Sequence, residues 1–162
     1  MKIQRKKGFT LVELIVAMML FGILTASATA ILVPTLHTFE RANDMDELNV
    51  LLDDIANTLT NDLRRAAGIT VANNGSEATI NSYITYSIGT GEDEGLLVRN
   101  GRLVYDRRYY KGKTVEIQYR NWQNTAALDG DVNGPFYLRI TIRYDTGPAA
   151  AGRDYAVRPM GM

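Results

Sequence analysis

The stretch that decides the fold is residues 8–36, GFTLVELIVAMMLFGILTASATAILVPTL. From Leu14 to Leu36 it contains no charged residue, a run of 23 residues. An α-helix rises about 1.5 Å per residue, so this run reaches roughly 34 Å, enough to cross a hydrocarbon core of about 30 Å. The stretch therefore predicts a membrane-spanning helix.

The charges before this run predict its orientation. The first eight residues hold four basic side chains and no acid, namely Lys2, Arg5, Lys6 and Lys7. Because basic residues beside a membrane helix stay in the cytoplasm, we expect the residues after Leu36 to lie outside. The chain has 18 basic and 18 acidic residues, and without the first eight it has 14 against 18. This acidic balance argues against a general affinity for nucleic acid.

Three interpretations fit a basic start followed by an apolar run. The first is a secretory signal peptide, cut at small residues such as Ala26-Ser27-Ala28 or Ala28-Thr29-Ala30. The second is a membrane anchor that is never cut. Neither gives a role to Glu13, since a carboxylate costs roughly 2.5–3.5 kcal/mol near the membrane centre and less near an interface. Glu13 therefore favours a third interpretation, which rests on the residues around it.

The segment Lys6-Lys7-Gly8-Phe9-Thr10-Leu11-Val12-Glu13-Leu14-Ile15 resembles the cleavage and methylation motif of type IV prepilins and of type II secretion pseudopilins. In that family a prepilin peptidase in the membrane cuts after the glycine, and the new N-terminal phenylalanine is methylated. The resemblance implies cleavage between Gly8 and Phe9 and N-methylation of Phe9. It also implies that Glu13 serves subunit assembly by pairing with the amine of a neighbouring subunit.

The resemblance implies a structural subunit and no enzymatic activity. Such a subunit is stored in the cytoplasmic membrane as a single span with its C-terminal domain outside. It then assembles with other pilin or pseudopilin subunits into a surface or periplasmic filament. The segment 61–68 resembles the helix end of minor pilins and minor pseudopilins, which favours a minor subunit. The alternative is an anchored or secreted binding module for DNA or a surface ligand, with an ordinary signal sequence.

Residues 37–68 predict the amphipathic half of the same helix. Apolar residues recur there at spacings of three and four, at Leu48, Leu51, Leu52, Ile55, Leu59, Leu63 and Ala66. Pro34 predicts a kink, and Asp44-Met45-Asp46-Glu47 resembles a capping box at which the helix would restart after a break. Gly68 predicts the end of a helix that runs from about Thr10 to Ala67.

After Gly68 the apolar period changes to two, which predicts an antiparallel sheet over residues 69–162. The predicted strands are Ile80–Ile88, Leu96–Arg99, Arg102–Asp106, Thr114–Arg120 and Phe136–Tyr144. Asn100-Gly101 predicts a two-residue hairpin, and Gly147–Met162 a loose tail or an edge segment.

The predicted fold class is therefore α+β, with a long, partly transmembrane N-terminal helix packed on a C-terminal antiparallel sheet, as in pilins. The domains follow as a cleaved leader (1–8), a transmembrane and filament-core helix (9–36), the amphipathic half-helix (37–68) and the sheet domain (69–162).

One loop has the spacing of a cation site. Asp129-Gly130-Asp131-Val132-Asn133-Gly134 matches the opening of a calcium loop, and its candidate ligands are Asp129, Asp131 and Asn133. Ile140 stands where the closing acid belongs, so Glu116 or Asp145 would have to complete the site. We favour a polar turn between strands, with calcium as the alternative and no cofactor required.

The stretch Arg99–Arg120 interleaves basic residues with tyrosines, a combination that suits single-stranded nucleic acid. We favour instead a sheet face that docks on acidic helices of neighbouring subunits. The acid-rich residues 40–54 are expected to form a solvated helix face, and Glu92-Asp93-Glu94 a solvated turn. With one histidine and no cysteine, and no nucleophile beside a base, the sequence predicts no catalysis.

Overall fold

A computed structural model describes residues 10–146 and 148–161. The predicted leader, Gly8 and Phe9 lie outside these ranges. The chain divides into two compact units, Met1–Asn43 and Asp44–Met162.

Helix α1 spans Leu11–Arg64 and contains Pro34. It continues without interruption through Asp44–Glu47, so the predicted restart there is wrong. The reason is that no glycine or proline follows Pro34 before Gly68, so the sequence has no helix breaker at Asp44–Glu47. The helix ends before Ala67 because the backbone N–H groups of Ala67 and Gly68 donate to the side-chain oxygen of Asn81, at 2.8 and 3.2 Å.

In the first unit, α1 is an apolar helix whose large side chains are exposed. Among the described residues, α1 is the one helix that is long and apolar enough to cross a membrane. Its hydroxyl groups donate to the carbonyl four residues earlier, which satisfies them without water. These residues are Thr25, Ser27, Thr29, Thr35 and Thr38.

The second unit contains nine strands and a short helix in the described ranges. The strands are β1 (Ile69–Ala72), β2 (Glu77–Ile80), β3 (Ile84–Ile88), β4 (Leu97–Arg99), β5 (Arg102–Leu103), β6 (Lys113–Arg120), β7 (Gly130–Asp131), β8 (Phe136–Tyr144) and β9 (Ala150–Val157), and helix α2 spans Arg107–Tyr110. They form a six-stranded sheet in the order β5-β4-β3-β2-β1-β7 and a three-stranded sheet in the order β6-β8-β9. All strand pairs are antiparallel, which confirms the α+β prediction, with the strands distributed over two sheets.

Two predicted strand boundaries are wrong. The predicted strand Ile80–Ile88 is broken by a turn, because Asn81 and Ser82 have φ of 51° and 64°. The predicted strand Arg102–Asp106 ends at Leu103, since Asp106 accepts a hydrogen bond from the Arg108 N–H and caps α2. Gly147–Met162 contains the edge strand β9, which agrees with the edge-segment alternative of the prediction. Strands β1 and β7 were not predicted.

The predicted hairpin is confirmed. Asn100 and Gly101 connect β4 to β5 with φ of 51° and 73°, the left-handed values that a two-residue turn of this kind needs. The Asn100 side chain also accepts a hydrogen bond of 2.7 Å from the N–H of Thr85 on β3. The turn therefore fixes the register of three strands.

One face of α1 forms the centre of the core in the second unit. Its buried residues are Leu48, Leu51, Leu52, Ile55, Ala56, Leu59, Thr60 and Leu63. All of these except Thr60 belong to one apolar cluster with inward side chains of both sheets, such as Ile80 and Tyr86 of the first and Ile117 and Leu138 of the second. The two sheets are therefore held together through this face of the helix.

Leu59→Ala should lower the free energy of unfolding by about 3 kcal/mol, because it removes a fully buried side chain and leaves a cavity. The control is Val50→Ala on the same helix, where the side chain is 60% exposed, and a change below about 0.5 kcal/mol is expected. Urea unfolding in detergent measures both. Equal losses in the two variants would contradict this packing.

Candidate assembly site and the charges around the helix

Glu13 lies in the first turn of α1 and closes a capping box with Thr10. The N–H and the hydroxyl of Thr10 donate to Oε2 of Glu13 at 2.9 and 3.0 Å. The N–H of Glu13 donates in return to the Thr10 hydroxyl at 3.3 Å. The carboxylate therefore satisfies a backbone donor that the start of a helix leaves unpaired.

The cap uses only one oxygen of this carboxylate within the described residues. Both Thr10 donors reach Oε2, so Oε1 keeps its capacity to accept a hydrogen bond from another group. Thr10 is the functional residue that our sequence reasoning missed. Its signal was present, because Thr10-Leu11-Val12-Glu13 has the spacing of a capping box ahead of an apolar run.

Farther along α1, Glu47 neutralises a buried lysine. The Lys113 side chain is only 2% exposed, and its ammonium lies 2.9 Å from Oε2 of Glu47. It also lies 4.6 Å from the ring centroid of Tyr144. Lys111 donates to the other Glu47 oxygen at 3.2 Å. Hydrogen bonds from Lys113 and Lys111 hold the pKa of the Glu47 carboxyl below its ordinary value.

Two further acids of α1 bind tyrosines that follow in the chain. The Tyr109 hydroxyl donates to the Asp54 carboxylate, which raises the pKa of Tyr109 to about 12. The Tyr86 hydroxyl donates to Asp62 at 2.8 Å, and burial together with that carboxylate raises the pKa of Tyr86. Arg99 pairs with the same Asp62 oxygen at 3.2 Å.

These contacts form a line along one side of the helix, which we call the polar seam. Its helix residues are Glu47, Asp54, Thr58 and Asp62, spaced seven, four and four residues apart. Thr58 takes part through a 2.8 Å hydrogen bond with the Tyr105 hydroxyl. Asp53 binds Arg153 of β9 at 2.8 Å, away from the seam.

The polar seam corrects the interpretation of the stretch Arg99–Arg120. We expected its basic and tyrosine side chains to dock on the acidic helices of neighbouring subunits. Instead, Arg99, Tyr109, Lys111 and Lys113 bind acids of the same chain's helix. The physical reason is burial, because an inward-facing lysine such as Lys113 needs a counter-charge inside its own unit.

The acidic loop also has a partner in its own chain. Gly91–Asp93 forms a single 3-10 turn, and the Arg107 guanidinium contacts Glu92 at 3.2 Å and Asp93 at 2.7 Å. The predicted turn is thus present and exposed at Glu92, and its acids form ion pairs with Arg107.

The candidate calcium ligands lie at and beside β7. Asp131 is in that strand and accepts a 2.7 Å hydrogen bond from the Thr70 hydroxyl of β1. The proposed extra ligand Glu116 pairs with Arg143 at 2.6 Å on the other sheet. Within residues 10–146 and 148–161, no three His, Cys, Asp or Glu side chains are grouped as metal ligands would be. Calcium binding at Asp129, Asp131 and Asn133 stays a prediction.

The described chain is thus an α+β protein with one apolar N-terminal helix long enough to cross a membrane. The family model of the prokaryotic N-terminal methylation motif matches residues 3–29, which include Gly8, Phe9 and Glu13. This motif is the signature of type IV pilins and pseudopilins, so the resemblance seen in the sequence is confirmed. No curated protein and no solved structure matches the chain.

Replacing the seam acid Glu47 by Gln should destabilise the protein at neutral pH, because the buried Lys113 ammonium loses its counter-charge. Since the folded-state pKa of Glu47 is lowered, its contribution is complete above the ordinary value of 4.5 and is lost as the pH falls through the lowered pKa. Urea unfolding from about pH 7 to about pH 3 should therefore show the two curves converging in acid.

The control for that series is Asp46→Asn, which removes an exposed carboxylate one residue earlier in the same helix. It should leave the unfolding free energy nearly unchanged across the same range. A gap between Glu47→Gln and the unmodified protein that stayed constant down to acid pH would contradict the assignment.

Proposed function

We propose that the protein is a minor pilin or pseudopilin, a structural subunit of a type IV pilus-like filament. The observation that carries this proposal is the methylation motif over residues 3–29 at the start of an apolar helix. In the proposed cycle the precursor waits in the cytoplasmic membrane with its C-terminal unit outside. A prepilin peptidase then removes residues 1–8, and the helix joins the other subunits of the filament.

Cleavage changes the charge of the helix start in two ways. It removes Lys2, Arg5, Lys6 and Lys7, which hold the N-terminus in the cytoplasm. It also converts the backbone amide of Phe9 into an amine that can carry a positive charge. Both changes favour release of the helix from its membrane position into a bundle of subunits.

Glu13 gives that new amine a partner. A buried carboxylate or ammonium alone is costly, while a paired and hydrogen-bonded one is tolerated. In the free subunit Thr10 already donates twice to Oε2, so the acid is partly satisfied during storage. Its Oε1 then accepts a hydrogen bond from the methylated amine of Phe9 in a neighbouring subunit. Each subunit added to the filament forms the same ion pair with its neighbour.

The processing site has a direct test in the mass of the mature protein. We expect a mature chain that begins at Phe9 and carries one added methyl group on its nitrogen. Gly8→Val should accumulate as uncut precursor, because the peptidase site is changed. Gly22→Ala, a glycine change in open space on the same helix, should be processed normally. A mature start at Thr29 or Ile31 would instead identify a secreted module with an ordinary signal sequence.

The charge of Glu13 can be separated from its capping role. Glu13→Gln keeps an acceptor for Thr10 but loses the charge, whereas Glu13→Ala loses both. If pairing drives assembly, both variants should be processed yet enter filaments at least tenfold less, because the amine of the neighbouring subunit loses its counter-charge. Quantitative immunoblots of sheared filaments measure this. Normal incorporation of Glu13→Gln would show that the cap, and not the charge, matters.

A further inference from the structure

The outer face of the three-stranded sheet carries a cation–aromatic patch, which we define as Arg120, Trp122, Tyr137 and Arg158. Arg120 of β6 and Tyr137 of β8 lie opposite each other in the sheet. The adjacent pair, Tyr119 and Leu138, is buried in the core, so Arg120 and Tyr137 lie on the other face of the sheet. The ring of Trp122 stacks on Tyr137 with centroids 5.1 Å apart and planes inclined by 20°. The guanidinium of Arg158 lies 5.5 Å from the Trp122 ring centroid.

This patch has a surplus of positive charge. Two other arginines of the same face are neutralised, since Arg139 pairs with Asp154 at 2.7 Å and Arg143 with Glu116 at 2.6 Å. In the described part of the chain, Arg120 and Arg158 form no ion pair within 4.0 Å, and the Nε of Arg120 is buried without an acceptor. The patch therefore offers two cations beside an aromatic pair, with Trp122 39% exposed.

The second unit also carries acids that form no ion pair or side-chain hydrogen bond with any described residue, and two of them lie at the start of its helix. Glu47, Asp53, Asp54 and Asp62 all bind groups of their own chain. Asp44 and Asp46 are exposed and have no ion pair or side-chain hydrogen bond with any described residue. The sequence did not predict which acids of the helix have a hydrogen-bond or ion-pair partner in their own chain and which do not.

We propose that the patch binds the Asp44–Asp46 segment of α1 in a second copy of this chain. Arginine donates paired hydrogen bonds to carboxylates, and tryptophan and tyrosine are the side chains that most often anchor interfaces. Surface ion pairs are individually weak. The contact therefore orients neighbours that the membrane helix has already brought to high effective concentration, and does not drive assembly alone.

This proposal rests on the proposed filament and specifies which surfaces of two adjacent subunits are in contact. It means that copies of this subunit are inserted next to one another and not singly among other subunits. It also gives the sheet face and the helix acids a shared role that neither has within one chain.

Cysteine cross-linking tests the contact, and the chain has no native cysteine to interfere. Met45→Cys lies between the two acids, and Ala156→Cys lies beside Tyr137 on β9, with both positions exposed. In membranes holding the full chain, mild oxidation of this double variant should give disulfide-linked dimers and longer ladders. The control pair, Met45→Cys with Tyr83→Cys, places the second thiol on an exposed turn outside the patch and should give monomers.

Charge reversal then identifies the forces. Arg120→Glu with Arg158→Glu should lower the cross-linked fraction about fivefold, and so should Asp44→Arg with Asp46→Arg. Combining both reversals in one chain should restore it, which a folding defect in either parent would not do. Asp44 and Asp46 lie outside both sheets. The Asp44→Arg, Asp46→Arg variant therefore still tests the contact if the Arg120→Glu, Arg158→Glu variant folds poorly.

Two outcomes would overturn the proposal. The first is absence of dimers in the Met45→Cys, Ala156→Cys protein while the mature chain still begins at Phe9 and enters filaments, a result that leaves the proposed function standing. The second is binding of single-stranded oligonucleotide, by fluorescence anisotropy, that the Arg120→Glu, Arg158→Glu pair abolishes while cross-linking is unchanged. That result would assign the patch to nucleic acid.

Discussion

The second unit depends on one face of α1, the apolar residues from Leu48 to Leu63. This face contributes to one apolar cluster with the inner side chains of both sheets. Apolar packing is non-directional, so it does not by itself fix the rotation of the helix about its axis. The polar seam fixes that rotation, because Glu47, Asp54 and Asp62 all bind side chains from the sheet domain that follows the helix. A rotation of the helix would break all of these contacts together.

The sequence predicted the parts of the fold that depend on local pattern. The long helix follows from apolar spacing, and the Asn100-Gly101 hairpin follows from the two left-handed residues that its turn requires. What could not be predicted depends on contacts distant in sequence. β9 has an Ala-Ala-Gly-Arg-Asp run without alternation and becomes a strand only because β8 offers it a partner. The satisfaction of Lys113 by Glu47, 66 residues away, has no local signal.

The site shows the same division. Gly8, Phe9 and Glu13 form a local motif that sequence alone identifies, and the family model matches the residues that contain it. The cap between Thr10 and Glu13 adds what the motif does not state, namely how the acid is satisfied before any neighbour arrives. A carboxylate that is half satisfied in the free subunit can be stored in the membrane and still accept a cation. This property links the folding of the first helical turn to the proposed assembly step.

The central claim is that the amine of one processed subunit meets Glu13 of its neighbour. Filaments assembled from a mixture of two preparations test this, one labelled with ¹⁵N at Phe9 and the other with ¹³C at the Glu13 carboxyl. Solid-state NMR should show dipolar dephasing between the two labels, because the paired groups lie within about 4 Å in different subunits. Absence of dephasing between the two labels in mixed filaments would contradict the account.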